Sequence, residues 1–93
     1  GELTTPLLTF EGDRLELNCD GSAGGWLQVE VLDAEDRPIS GFFLADCDDV
    51  RGNGLSKKVT WRENGDMGSL AGQPIRLRFV MRAMKLFALQ FCT

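Results

Sequence analysis

The chain has 93 residues, of which 43% are hydrophobic and 26% are charged, and its formal net charge is −4. This length and composition are typical of a single globular domain with a small core, here residues 1–93. They exclude a membrane-spanning segment, because no apolar run approaches the roughly 20 residues that a span requires. The acidic balance also argues against a nucleic-acid-binding surface. Since Gly1-Glu2-Leu3 has neither the basic start nor the apolar core of a signal peptide, we expect a mature or excised module.

Alternation of apolar and polar residues predicts strands along most of the chain. In chain order the predicted strands are 3–10, 14–20, 26–33, 39–45, 57–61, 75–82 and 87–91, with turns or loops between them. No helical pattern of ten or more residues is present. The immunoglobulin pattern of two cysteines flanking a tryptophan fits Cys19, Trp26 and Cys92 poorly. We therefore predict an all-β fold, specifically a jelly-roll-like antiparallel β-sandwich of about seven to eight strands.

The alternation also predicts which side chains form the core. The residues on the inward register, expected to be buried between two sheets, are Leu15, Leu17, Val29, Val31, Val59, Trp61, Leu77, Phe79 and Phe91. Trp26 shares the opposite register with Gln28 and Glu30. Turning Trp26 inward would expose Leu27, Val29 and Val31, so we expect Trp26 on the outer surface.

Charge is divided unevenly along the chain. Residues 1–56 hold twelve acids and three bases, whereas residues 57–93 hold two acids and seven bases. Three of these bases, Arg76, Arg78 and Arg82, form a stripe on one strand face. We expect them to pair with acids on neighbouring strands, such as Glu16 and Glu30. The alternative is that the stripe binds an anionic sugar or a partner domain.

Nothing in the sequence indicates a catalytic centre. There is no histidine, so serine and cysteine side chains lack the usual general base. Two carboxylates at the spacing used for glycoside hydrolysis are expected by chance in so acidic a chain, and a small sandwich has little cleft to enclose them. Cys19, Cys47 and Cys92 lack C-x-x-C spacing; they allow at most one disulfide, and the spacing does not select the pair. We expect no enzymatic activity.

The longest polar loop, 46–54, is the main candidate for chemistry. Asp46, Asp48 and Asp49, together with Asn53, offer the oxygen ligands that Ca²⁺ prefers, which makes the three aspartates a candidate calcium site. The alternative is a solvated loop in which these side chains bond their own backbone. An outward indole at Trp26 offers a face on which sugar rings stack. The predicted ligand-binding residues are Trp26, Gln28, Asp46, Asp48, Arg51 and Asn53.

Several segments, taken in order, also resemble a known family. They include Leu15-Glu16-Leu17-Asn18, Val29-Glu30-Val31-Leu32-Asp33, Pro38-Ile39-Ser40-Gly41-Phe42, Leu44-Ala45-Asp46-Cys47-Asp48, Val59-Thr60-Trp61 and the stretch Ser69–Phe79. From Gly1 to about Phe91 the chain resembles the C-terminal β-sandwich module of many secreted bacterial proteins. Those proteins often carry a five-bladed propeller like that of glycoside hydrolase family 32. The chain departs from the family at Leu86-Phe87-Ala88-Leu89, where a Leu-Tyr-Ser-Phe-like close is expected, and at Trp26, where a smaller or polar residue is expected.

The resemblance implies an extracellular, non-catalytic accessory module, because the sugar-cleaving acids of such enzymes lie on the propeller. The expected partners are a poly- or oligosaccharide and the catalytic domain of the parent protein, with no nucleic acid and no membrane. The alternative is a structural β-sandwich that packs against the propeller without binding sugar. That alternative predicts a contiguous exposed apolar patch, whereas a binding module predicts an aromatic side chain among several polar groups.

Overall fold

The computed structural model describes all residues, Gly1–Thr93, and contains one antiparallel sheet of four strands. The strands are β1 (Glu2–Thr4), β2 (Arg14–Leu32), β3 (Gly54–Lys58) and β4 (Arg76–Cys92). Their order in the sheet is β1-β4-β2-β3. Two short 3₁₀ turns, Leu44–Asp46 and Gly68–Leu70, lie in the connections. No helix of the chain has the length and hydrophobicity that a membrane crossing requires.

The all-β prediction is confirmed, but the structure has four strands in one sheet where the sequence predicted about seven to eight in two. The main reason is that predicted neighbours merge. The runs 14–20 and 26–33 are both parts of β2, and the runs 75–82 and 87–91 are both parts of β4. The prediction of a hairpin loop at 21–25 was therefore wrong.

A bend replaces the predicted loop at 21–25. The pairing of β2 with β4 shifts register between Gly21 and Trp26, and Ala83 on the facing strand adopts a positive φ of 52°. Gly25 packs so closely here that a Cβ would lie 2.4 Å from the Ala83 carbonyl oxygen. Glycine lets the two backbones approach at an irregular point of the ladder, so the strands bend and continue instead of ending.

The predicted strand 39–45 is also absent. Pro38 forms an isolated bridge with Leu32, after which the chain turns at Gly41, whose φ is +92°, and enters the first 3₁₀ turn at Leu44. A positive φ is favourable for glycine but incompatible with an extended strand. The apolar residues of this segment therefore contribute to packing without forming a ladder.

Both halves of the bent sheet face one core. A cluster of 16 buried residues takes Leu15 and Leu17 from the first half of β2 and Val29 and Val31 from the second half. The predicted core is confirmed for Leu15, Leu17, Val29, Val31, Val59, Trp61, Leu77 and Phe79, all of which are buried. Phe91 is only partly buried and stacks on Phe10 with ring centroids 4.2 Å apart. One sheet folded over itself thus encloses the core that the sequence assigned to two sheets.

Trp61 anchors the long connection between β3 and β4 to this core. Its side chain is 2% exposed, and its indole Nε1–H donates to the Val29 carbonyl oxygen at 2.9 Å. The ring also meets Phe42 edge-on, with centroids 5.1 Å apart. The indole is therefore both packed and hydrogen-bonded, as a buried tryptophan requires.

Candidate functional site

The polar loop 46–53 runs beside the second half of β2. Leu27 and Val50 exchange two backbone hydrogen bonds of 2.9 Å, forming an isolated antiparallel bridge. In an antiparallel pair, the residues that flank a bridge also face each other, so Gln28 is opposite Asp49 and Trp26 is opposite Arg51. Residues opposite each other point to the same side of the two chains. Because Leu27 is fully buried, these neighbours lie on the outer face. We call Trp26, Gln28, Asp49 and Arg51 the outer-face cluster.

Hydrogen bonds hold the polar part of the outer-face cluster. Gln28 Nε2 donates to Asp49 Oδ1 at 2.7 Å, and Arg51 donates to Asp49 Oδ2 at 2.7 Å. Asp49 thus orients both an amide and a guanidinium from opposite sides. Asp49 and Arg51 are exposed and Gln28 is half-buried, so these groups can be reached by a ligand.

Trp26 lies between this loop and β4. Its register partner on β4 is Arg82, which is exposed and makes no ion pair within the chain. The prediction of the outward register is confirmed, since Leu27, Val29 and Val31 are all fully buried while Trp26 is not. The indole is, however, only partly exposed, so less of its face is free than an exposed platform would offer.

The other predicted ligand residues point to different neighbours. Asp46 Oδ1 accepts a hydrogen bond from Arg62 Nε at 2.9 Å. Asp48 Oδ2 accepts from Thr60 Oγ1 at 2.6 Å and from the Glu63 backbone N–H at 2.7 Å. The structure therefore separates Asp46 and Asp48 from the outer-face cluster, and it uses them to hold the 60–63 turn. The hydrogen bonds from Thr60 and then Glu63 lower the pKa of Asp48 below its ordinary value of 3.8.

The candidate calcium site does not assemble. Asp46, Asp48 and Asp49 serve three different partners, namely Arg62, Thr60 and Gln28. No group of three or more His, Cys, Asp or Glu side chains in the chain could hold a metal ion. The acids instead attach the loop to Arg62, Thr60 and Gln28, whereas the alternative had them bonding the backbone of their own loop.

Two of the three arginines of the basic stripe pair with acids, and for Arg78 these acids lie on the neighbouring strands, as predicted. Arg78 pairs with Glu2 at 2.7 Å and with Glu30 at 2.8 Å, and Arg76 lies 2.9 Å from Asp36. The hydrogen bonds to Glu2 and Glu30 raise the pKa of Arg78. Glu16, a predicted partner of the stripe, instead pairs with Arg14 at 2.9 Å. Only Arg82 of the stripe is left for a ligand.

The three cysteines are free thiols. Cys47 is buried, and its Sγ accepts a hydrogen bond from the Val29 backbone N–H at 3.3 Å. Burial raises the pKa of Cys47 to about 11, so this thiol is protonated at neutral pH. Cys19 is also buried, and burial raises its pKa as well. A protonated, buried thiol is a poor nucleophile and acts here as an apolar side chain.

Sequence reasoning missed a groove on the first half of β2. It lies over Asn18 and consists of two adjoining cavities of about 180 and 360 Å³ that share Asn18 and Leu55. Phe87 contributes to the larger cavity and Ala88 to the smaller one. We call this feature the Asn18 groove. Phe87 lies inside a strand, as predicted, but the register shift between the pairs Cys19–Leu86 and Asn18–Ala88 leaves it without a partner residue on β2.

Exposed large apolar side chains are distributed over the surface. Leu3 and Leu7 lie in the N-terminal segment, Phe43 lies near the first 3₁₀ turn, and Leu55 and Phe87 line the Asn18 groove.

Comparison of the chain with protein-family models, with curated proteins and with solved structures finds no match in any of the three.

Proposed function

We propose that this chain is a non-catalytic accessory module of a secreted bacterial carbohydrate-active enzyme and that it binds carbohydrate. The observation that supports this best is the outer-face cluster. The fold brings an indole, an amide, a carboxylate and a guanidinium from two distant segments onto one exposed surface. An aromatic face beside oriented polar groups is the combination that recognises a sugar ring.

Each group of the cluster has a role in this proposal. The π face of Trp26 carries partial negative charge and attracts the weakly positive C–H groups of a pyranose ring. Gln28 and Arg51, fixed by Asp49, donate hydrogen bonds to ring hydroxyls. The surface is open and leaves part of the ligand in water, so a modest affinity is expected.

The proposed module follows the resemblance to the sandwich modules of enzymes with a family 32-like propeller. In this proposal the two halves of the bent sheet take the place of the two facing sheets of a sandwich. A catalytic propeller in the parent protein supplies the sugar-cleaving acids, and the module keeps that enzyme near its substrate.

Titration with soluble plant and microbial oligosaccharides tests the proposal. The parent chain is expected to bind at least one of them, and Trp26→Ala is expected to weaken that binding by more than fivefold. Phe43→Ala is the matched control, because Phe43 is an exposed aromatic residue outside the cluster. The site proposal fails if the parent chain binds a sugar and Trp26→Ala changes the affinity by less than twofold.

A further inference from the structure

We propose that the outer-face cluster, together with Arg82, selects an acidic saccharide whose pyranose rings carry a carboxylate. This inference rests on the proposed carbohydrate-binding function and names the class of sugar that the same site takes. The observation behind it is the position of Arg82, an exposed side chain that is in register with Trp26 on the neighbouring strand β4.

Arg82 is the only arginine of the chain that makes no ion pair. Each of the others has a carboxylate oxygen within 3.3 Å. The chain holds 14 acids against 10 bases, so carboxylates are in excess. The fold nevertheless leaves this guanidinium free, and the free guanidinium is the one beside the outward indole. Its planar fork of N–H donors matches the two oxygens of a carboxylate.

Trp26 lies between two arginines on the outer face. Arg82 is its partner on β4, and Arg51 is opposite it on the loop, because the bridge between Leu27 and Val50 aligns the two segments. Paired residues point to the same side of a sheet, and neighbouring strands are about 5 Å apart. The backbones of the two arginines are therefore about 10 Å apart, one on each side of the indole. A sugar ring stacked on the indole turns its substituents towards both guanidinium groups.

The two arginines differ in how their charge is countered. Arg51 is held by Asp49 at 2.7 Å, so it is suited to donating hydrogen bonds to neutral hydroxyls. On the other side of the cluster, beyond the bend, Lys85 is in register with Asp20, and these two charges offset each other. Arg82 alone carries a charge without a partner, so it is the group that we assign to the carboxylate of the sugar.

The nearest paired acids do not cancel the charge of Arg82. Glu2 and Glu30 both bond Arg78, at 2.7 and 2.8 Å. Arg78 is four residues from Arg82, which is about 13 Å along an extended strand. That distance exceeds the screening length of about 8 Å at physiological salt. The preference for an acidic sugar is therefore local and made by direct contact with Arg82, and an exposed ion pair of this kind should be worth about three- to fivefold in affinity.

Titration with a matched pair of probes tests the inference. The probes are a trisaccharide of galacturonic acid and the same trisaccharide with its carboxyl groups reduced to primary alcohols. We expect the parent chain to bind the acidic probe about three- to fivefold more tightly. Arg82→Gln should remove this preference and should leave the affinity for the reduced probe within twofold. Lys85→Gln is the matched control, because it makes the same change in net charge at an exposed residue of β4 outside the cluster, and it should keep the preference.

The outcomes separate this inference from the proposed function. If the parent chain binds both probes equally, or if Arg82→Gln keeps the preference, the inference is overturned while the proposed function stands. If neither these probes nor any other oligosaccharide binds, the proposed function fails and the inference fails with it. A capped triglutamate peptide, which has the same number of carboxylates, is the third probe. Binding of this peptide as tight as that of the acidic sugar, and dependent on Arg82, would identify a contact for an acidic protein segment and would also overturn the inference.

Discussion

Replacing Trp61 by alanine should remove a large part of the stability of this fold. Truncation of a buried tryptophan costs roughly 3–5 kcal/mol through lost burial and the cavity that remains. The Val29 carbonyl oxygen would also lose its indole donor, which adds about 1 kcal/mol. Small domains unfold with about 5–15 kcal/mol in total. The Trp61→Ala chain should therefore be close to unfolding. Trp61→Phe should lose less, about 2–3 kcal/mol, because most of the ring volume is kept although the Val29 carbonyl oxygen still loses its indole donor.

Urea unfolding followed by circular dichroism measures this difference. The matched control is Trp26→Ala, which removes the only other tryptophan from a partly exposed position and should cost no more than about 1 kcal/mol. The reasoning is refuted if Trp61→Ala lowers the free energy of unfolding by less than about 1 kcal/mol, or if the two alanine variants lose equal stability.

Three further predictions follow from single contacts. The lowered pKa of Asp48 means that its carboxylate stabilises the fold above pH 3.8 and that this contribution is lost as pH falls through the folded-state pKa. Asp48→Asn should therefore flatten the loss of stability measured by urea unfolding as the pH falls below about 4, and an unchanged acid limb would contradict this. A thiol reagent at pH 8 should modify the partly exposed Cys92 first and Cys47 only after unfolding, because the pKa of Cys47 is about 11; equal rates in the folded chain would contradict its burial. Gly25→Ala should lower the melting temperature by at least about 5 °C, since its Cβ would lie 2.4 Å from the Ala83 carbonyl oxygen; a neutral effect would argue against the close approach at the bend.

Sequence periodicity was a reliable guide to the core. Val29, Val31 and Trp61 are buried, as the alternation predicted. A one-residue shift in register would turn the apolar side chains of a strand towards solvent, so the alternation specifies which face is buried. The same reasoning placed Trp26 and Gln28 on the outer face, where the structure has them. Periodicity did not show whether a glycine-rich interruption ends a strand or bends it. At Gly21–Gly25 the outcome depends on how closely Ala83 approaches on β4, and that contact is set by the distant strand.

The candidate site was only partly predictable for a related reason. Loop composition predicted that Asp46, Asp48 and Asp49 would bind either calcium or the backbone of their own loop. It could not show which residue each carboxylate would accept a hydrogen bond from. The bridge between Leu27 and Val50 decides this, because it turns Asp49 towards Gln28. Asp48 is oriented by Thr60, which is 12 residues away. Such long-range pairings leave no local pattern in the sequence. The exposure of Phe87 likewise follows from a shift in pairing between β2 and β4.

A glycan-array screen of the chain, with and without calcium, tests the central claim most directly. The proposed function predicts binding to one or more oligosaccharides. It also predicts equal binding in both conditions, because the loop carboxylates do not converge on a metal site. Failure to bind any glycan at millimolar ligand concentration in a follow-up titration would contradict the claim that this chain binds carbohydrate.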